Sequence, residues 1–421
     1  MITKFYARGL KMFTIVESRL NAPRVGRGFK VAIFTPFLYP FHLDMAIIMN
    51  DKVETKIFTC GIYGNYPFGE LLKCTETLKC ITIAGQKIIG VLDMIKFLLY
   101  KPQAVIIFGI ESLSGLMIYL ISRLINAKTL VIVEENNTTR LNNIILELAQ
   151  IMKRGIIRLV YKQVPILIAE SYASKKYVLD ILCTKRKKAI VVRMHGVNVD
   201  RFDFFSTMPK EYAKKVLQSI LKLPEKIIMR KWVSFIGELS YCKGADILVD
   251  AIEIMQQSPK LGISPVFLLP KTNLLNDKKE LREQYKQKIV KLMEKVPIIF
   301  YNPIEPKRMP LLYRASDIIV LPSRFLDYTS SDRSPNVALE ALASGAILVA
   351  SSVGGIPTIV EDAAVLIKPN NPHELATKLC QVLSNYEKYR NFEKKARERA
   401  IIDLDIKNYS HDLLKLLMNH S

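Results

Sequence analysis

Apolar and polar positions along the chain alternate between two rhythms. Short runs rich in β-branched residues recur at 31–35, 55–59, 80–84, 104–108, 129–134, 165–169 and 189–193, and the stretches between them repeat apolar residues at helical spacing. Short continuous apolar runs suit strands buried on both faces, and strands alternating with helices form the βαβ units of a parallel sheet. Seven such strands predict one Rossmann-like domain. Between 197 and 210 the rhythm lapses into Asn198, Asp200, Asp203, Ser206 and Pro209, the residues of a linker. It resumes at 231–237, 265–269, 297–301, 317–321, 347–351 and 365–367, which predicts a second Rossmann-like domain. From 372 to 419 the strand signal is gone, and a sequence rich in Leu, Lys and Glu predicts consecutive helices. The expected fold class is α/β, with two doubly wound domains facing each other across a cleft. The expected boundaries are a basic N-terminal extension (1–29), an N-terminal domain (30–200), a C-terminal domain (201–395) and a helical tail (396–421). Ligands of open α/β sheets bind beyond the carboxyl ends of the strands, so chemistry is expected in the loops that follow strands.

Composition narrows the function. Half of the 421 residues are apolar and 24% are charged, too hydrophobic a mixture for a disordered chain. Lys and Arg number 61 against 39 Asp and Glu, and the net charge of +22 calls for a polyanionic partner or an anionic surface. Nucleic acid is not the expected partner, because no RNA- or DNA-binding motif or aromatic-basic platform occurs. A helix expected over 141–162 sets the apolar residues Ile144, Leu148, Ile151, Ile156 and Leu159 beside Lys153, Arg154, Arg158 and Lys162. Such a helix fits an anionic membrane surface, and it equally fits an ordinary core helix with a solvated basic side. The six cysteines are scattered without zinc or redox spacing, which suits a reducing compartment. Residues 1–20 interleave Lys4, Arg8, Lys11 and Arg19 with apolar positions, unlike a signal peptide. The most apolar stretch, 104–125, is broken by Glu111, Ser112, Ser114 and Arg123, so no membrane span is expected. The expected location is cytoplasmic, peripheral on the inner face of the cell membrane. His42, His373, His411 and His420 lack ligand spacing, and no metal site is expected.

The most informative stretch is 330–345, Ser-Ser-Asp-Arg-Ser-Pro-Asn-Val-Ala-Leu-Glu-Ala-Leu-Ala-Ser-Gly. Ser334 is expected to cap a helix that begins at Pro335 and stops at Gly345. The amides of Asn336 and Val337 would then face a phosphate. Glu340, about 1.5 turns in, could accept hydrogen bonds from both hydroxyls of a ribose. A solvated helix carboxylate fits the local sequence as well. Together with Ser351-Ser352-Val353-Gly354-Gly355-Ile356-Pro357, this stretch resembles glycosyltransferase family 4, whose members are retaining, metal-independent sugar-nucleotide transferases of the GT-B fold. The resemblance implies that Glu340 is the second of a pair of acidic residues separated by seven others and binds the ribose. Asp332 takes the first position, where the family usually has Glu, and would contact the donor sugar.

Further matches run through the second half. Gly237 and Lys243, in the stretch 235–244, resemble the family's glycine loop and phosphate-binding lysine, while Glu238 replaces the usual arginine. The stretch 313–323 resembles the strand and Pro-Ser turn before the acidic pair, and 195–202 the interdomain segment. The first half resembles the family in layout alone. Its opening loop, 35–42, lacks the usual Gly-Gly, and Glu135 and Asn136 follow the fifth strand where members often carry a histidine. These two are candidates for polar contacts to the donor sugar or acceptor, with Glu111 a weaker one. The resemblance implies a hexose transferase that takes a UDP- or GDP-sugar as donor substrate, needs no cofactor, and glycosylates a hydroxyl of a glycan or lipid-linked acceptor. Lys243 and helix-terminal amides would stabilise the departing diphosphate. Two rivals are a sugar-nucleotide epimerase and a catalytically degenerate carbohydrate- or nucleic-acid-binding GT-B protein.

Overall fold

The computed structural model describes residues 29–61, 74–83, 86–133, 144–164, 166–182, 189–204, 207–257, 264–275, 278–324 and 335–419. The chain divides into two compact units, one running to Arg201 and resuming at Ile406, the other spanning Phe202–Asp405.

In the first unit, strands β1 (Lys30–Thr35), β2 (Glu54–Thr59), β3 (Thr75–Thr77), β6 (Ala104–Phe108), β7 (Lys128–Val133), β8 (Ile166–Ala169) and β9 (Ala189–Val192) form one parallel sheet in the order β3-β2-β1-β6-β7-β8-β9. Alternate residues of each strand feed two cores. Val31, Ile33 and Ile106 face helix α1 (Pro40–Asn50), whereas Ala32, Phe34 and Val105 face helices α2 (Val91–Tyr100), α3 (Leu113–Leu124), α4 (Ile144–Gln163) and α5 (Tyr172–Leu182). That two-sided burial is why the strands read as continuous apolar runs.

Two expectations fail here. The run at 80–84 is not a strand of the main sheet: β4 (Cys80–Ile83) pairs antiparallel with β5 (Gln86–Ile89) in a separate hairpin with Ile81 exposed. The third sheet strand is Thr75–Thr77, three polar residues paired with β2. The tail expected over 396–421 is also split. Helix α15 (Ile406–Asn419), numbered last in the chain, buries Ile406, Tyr409, Leu413 and Leu417 against the α1 side of the first sheet. The break after Asp405 lies ten residues beyond the expected end of the second domain at 395.

In the second unit, β10 (Trp232–Phe235), β11 (Val266–Pro270), β12 (Ile298–Tyr301), β13 (Ile318–Leu321), β14 (Ile347–Ser351) and β15 (Val365–Ile367) form a parallel sheet ordered β12-β11-β10-β13-β14-β15. The helices are α6 (Lys210–Leu221), α7 (Ala245–Gln257), α8 (Lys279–Met293), α9 (Met309–Ala315), α10 (Asn336–Ala343), α11 (Ile356–Val360), α12 (Pro372–Ser384), α13 (Tyr386–Tyr389) and α14 (Asn391–Asp403). A buried charge cluster pins the amino ends of the two central strands. Asp317, just before β13, accepts from Lys214 Nζ at 2.6 Å and from the Trp232 amide at 2.8 Å, with Lys231 Nζ at 3.4 Å. Burial alone would raise the Asp317 carboxyl, but Lys210 and Lys214 hold it below the usual carboxylate range. The same burial lowers the Lys214 ammonium. This cluster lies at the edge opposite the strand ends where ligands bind, so its role is structural.

Candidate functional site

Strand order in the second unit reverses between β10 and β13, and the loops that leave their carboxyl ends flank the crevice where doubly wound sheets take ligands. The loop after β10 contains Gly237 at φ +120, a conformation essentially reserved for glycine; a Cβ there would meet nothing within 4 Å. Its backbone therefore faces open space. Gly244, at φ +72, is a glycine for a further reason, since a Cβ would lie 2.0 Å from the Pro322 carbonyl oxygen. The loop presses against the end of β13 at this point. Between them, Lys243 is half-buried.

The two loops are tied together by Arg324, which the sequence reading passed over. Its amide donates to the Cys242 carbonyl at 2.9 Å, its guanidinium pairs with Asp246 on α7, and it lies 4.0 Å over the Tyr241 ring. Burial raises the Asp246 carboxyl, against the pull of Arg324. The only hint in the sequence was a basic residue right after the Pro-Ser turn of the β13 loop, whereas Glu238 lies in the β10 loop. Glu238 itself is exposed, and the next residue anchors the loop: the Leu239 amide donates to Thr272 Oγ1 at 3.1 Å.

Helix α10 follows the β13 loop. It begins at Asn336, one residue later than expected, because Pro335 stays extended at ψ 121 and is itself the N-cap, its carbonyl accepting from Ala338 at 2.9 Å. Gly345 ends the helix as expected, at φ +60: its amide donates to Leu342 O and that of Ala346 to Ala341 O, both at 3.0 Å, a Schellman motif. Ala338, Leu339, Ala341 and Leu342 are buried, whereas Asn336, Val337 and Glu340 are half-buried. Residues three and four apart share a helix face, so the carboxylate stands on the side of the first turn. After β14, Gly354 at φ +58 turns the chain into α11.

Asp332 and Ser334 lie outside the described residues, as do Glu135 and Asn136. Glu111 is buried just beyond β6 and accepts the Tyr161 hydroxyl from α4 on Oε1. At the carboxyl ends of the first sheet the structure buries two histidines. His42 accepts the Tyr39 amide on Nδ1 at 3.0 Å, and burial, then His195, lowers its pKa well below the usual value. Its ring is therefore neutral. His195 Nδ1 lies 3.2 Å from Glu170 Oε1. Among the described residues no group of three His, Cys, Asp or Glu could hold a metal, and no helix is long and apolar enough to cross a membrane.

Residues 222–399 match the family model for glycosyl transferases group 1. Spore coat protein SA of Bacillus subtilis is 27% identical over 229 residues, 52% of this chain and 56% of that protein. A D-inositol 3-phosphate glycosyltransferase of Corynebacterium efficiens is 30% identical over 160 residues, 37% of this chain and 35% of that protein. The chain thus spans about half the length, or less, of these curated relatives. Among solved structures, Anabaena HepE in complex with UDP-glucose superimposes with a TM-score of 0.69 at 16% identity, over 93% of this chain and all of that one. Sucrose-phosphate synthase from Thermosynechococcus elongatus gives 0.67 at 19% identity, over 94% and all of that chain. These likenesses, together with the two sheets, establish the GT-B fold. The matched residues make up the greater part of the second unit, which is thus similar to the group 1 glycosyltransferases.

Proposed function

We propose that this chain transfers a hexose from a UDP- or GDP-sugar to a hydroxyl of a glycan or lipid-linked acceptor, with retention at the anomeric carbon and without a metal. The reading is carried by the strand-order reversal in the second unit, where Gly237 opens its backbone to space, Lys243 sits in the same loop, and Asn336, Val337 and Glu340 share one face of α10. The UDP-glucose held by the Anabaena neighbour supports a nucleoside diphosphate sugar as donor.

The assigned roles follow from charge. As the diphosphate leaves, negative charge grows on it, and preorganised donors stabilise that charge best. Lys243 and the first amides of α10 supply it, and Gly237 lets backbone approach the pyrophosphate. Glu340 accepts from the ribose hydroxyls, Ser334 and Asp332 belong to the donor side, and Glu135 and Asn136 make polar contacts to substrate. Glycosyl transfer is expected to persist in EDTA; loss restored by magnesium or manganese would contradict the mechanism. A thermal-shift panel of nucleotides and nucleotide sugars tests the donor class, because a ligand at 100 times its Kd stabilises by about 2.7 kcal/mol. A panel in which no nucleoside diphosphate or its sugar shifts the melting curve would refute the reading.

A further inference from the structure

Helices α2, α3 and α4 cover one face of the first sheet, turning Phe97, Ile118 and Val160 inwards. Their opposite sides do not turn polar. Leu92 and Leu99 on α2, Leu120 and Leu124 on α3, and Ile156 and Leu159 on α4 all point outwards, with Leu92 77% and Leu124 82% exposed. Of the 20 large apolar residues exposed among the described ones, ten lie on these three helices. Scattered single exposures need no explanation, whereas a concentration of this kind marks an interaction surface.

The charges around it select the partner. Lys79, Lys101, Arg123 and Lys162 are exposed at the ends of these helices and the adjoining hairpin. The acidic residues close by, Glu76 and Asp93, are already engaged: Lys96 lies 2.9 Å from Asp93 and 3.3 Å from Glu76, and Lys56 3.1 Å from Glu76. A second copy docked on the same face would bring cations against cations. A surface of Leu and Ile rimmed by Lys and Arg instead matches a bilayer with anionic headgroups, the leucines entering the acyl boundary and the cations meeting the lipid charge.

We propose that the outer face of α2, α3 and α4 is a docking surface for an anionic membrane. It extends the expectation for the 141–162 helix to two further helices. The surface belongs to the first unit and the proposed nucleotide site to the second, and its test reads no catalysis. The full chain is sedimented with vesicles of phosphatidylcholine alone and of phosphatidylcholine with phosphatidylglycerol. Binding should be strong to the anionic vesicles and weak to the neutral ones, and should fall as salt rises. Leu92→Asp with Leu99→Asp should reduce binding about tenfold or more with an unchanged melting temperature, since both side chains are in solvent. Met229→Asp, at a residue 90% exposed in the second unit, should bind as the wild type. Equal binding to both vesicles, or full binding by the Leu92/Leu99 variant, would overturn the proposal. So would a vesicle-free dimer that this variant converts to monomer, which would make the face a contact between copies.

Discussion

Gly237 and Gly244 sit in one loop and respond differently to a methyl group. Gly244→Ala adds a collision with Pro322 O to an unfavourable φ and should destabilise by about 2–4 kcal/mol. Gly237→Ala meets no neighbour and should cost about 1–3 kcal/mol from backbone strain alone. Denaturant titration checks the order, and a larger loss at Gly237 would contradict the packing described. Lys243 and Glu238 separate along a second axis. A carboxylate within about 4 Å of a diphosphate would be repelled by roughly 4 kcal/mol per charge pair at an effective dielectric near 20, so Glu238 is expected to turn away from a bound diphosphate. Lys243→Ala should weaken nucleoside diphosphate binding by about 2–5 kcal/mol, and Glu238→Ala should leave it nearly intact while altering nucleotide-sugar turnover. The reverse pattern in a calorimetric titration would remove this loop from the phosphates. Gly237, Lys243 and Glu340 were legible as candidates through the resemblance of 235–244 and 330–345 to a known family. Arg324 was not, because its partners Asp246, Tyr241 and Cys242 are brought to it by the pairing of β10 with β13 and not by any local pattern.

At the scale of elements, Asp317 joins β10, β13 and α6. Its carboxyl lies below its unfolded value in the folded state, so its contribution is present above about pH 3.9 and is lost as pH falls through the folded value. Asp317→Asn should destabilise by about 3–5 kcal/mol at neutral pH, because Lys214 is left buried without its counter-charge. The variant should also lose less stability than the wild type on acidification. Parallel acid limbs for the two proteins would show that the pairing is not what holds the strands. The strands themselves were legible wherever both faces are buried. They were misread where burial is one-sided: Thr75–Thr77 carries no apolar run, and Cys80–Ile83 carries one without joining the sheet. Helix α10 was legible from Pro335 and Gly345, although its start moved by one residue because proline kept the extended cap.

For the whole molecule, an apolar and polar rhythm reveals how many layered units a chain builds, and it does not reveal which unit a terminal amphipathic helix will cover. Helix α15 follows the helices of the second unit in the chain, yet its Ile406, Tyr409, Leu413 and Leu417 pack on the α1 side of the first sheet. The charge of +22 does not say which face would meet an anionic partner, and the exposed leucines on α2, α3 and α4 are what single out the face proposed above. The central claim is that the second unit binds a nucleoside diphosphate sugar with Glu340 on the ribose. Its most direct test is calorimetric titration of UDP, GDP and their sugars into the wild type and Glu340→Gln. One nucleotide series should bind the wild type, and the variant should bind it at least about tenfold more weakly, since an amide accepts on one oxygen alone and leaves one ribose hydroxyl poorly paired. Equal affinity in a folded variant, or no binding by any of these nucleotides, would contradict the account.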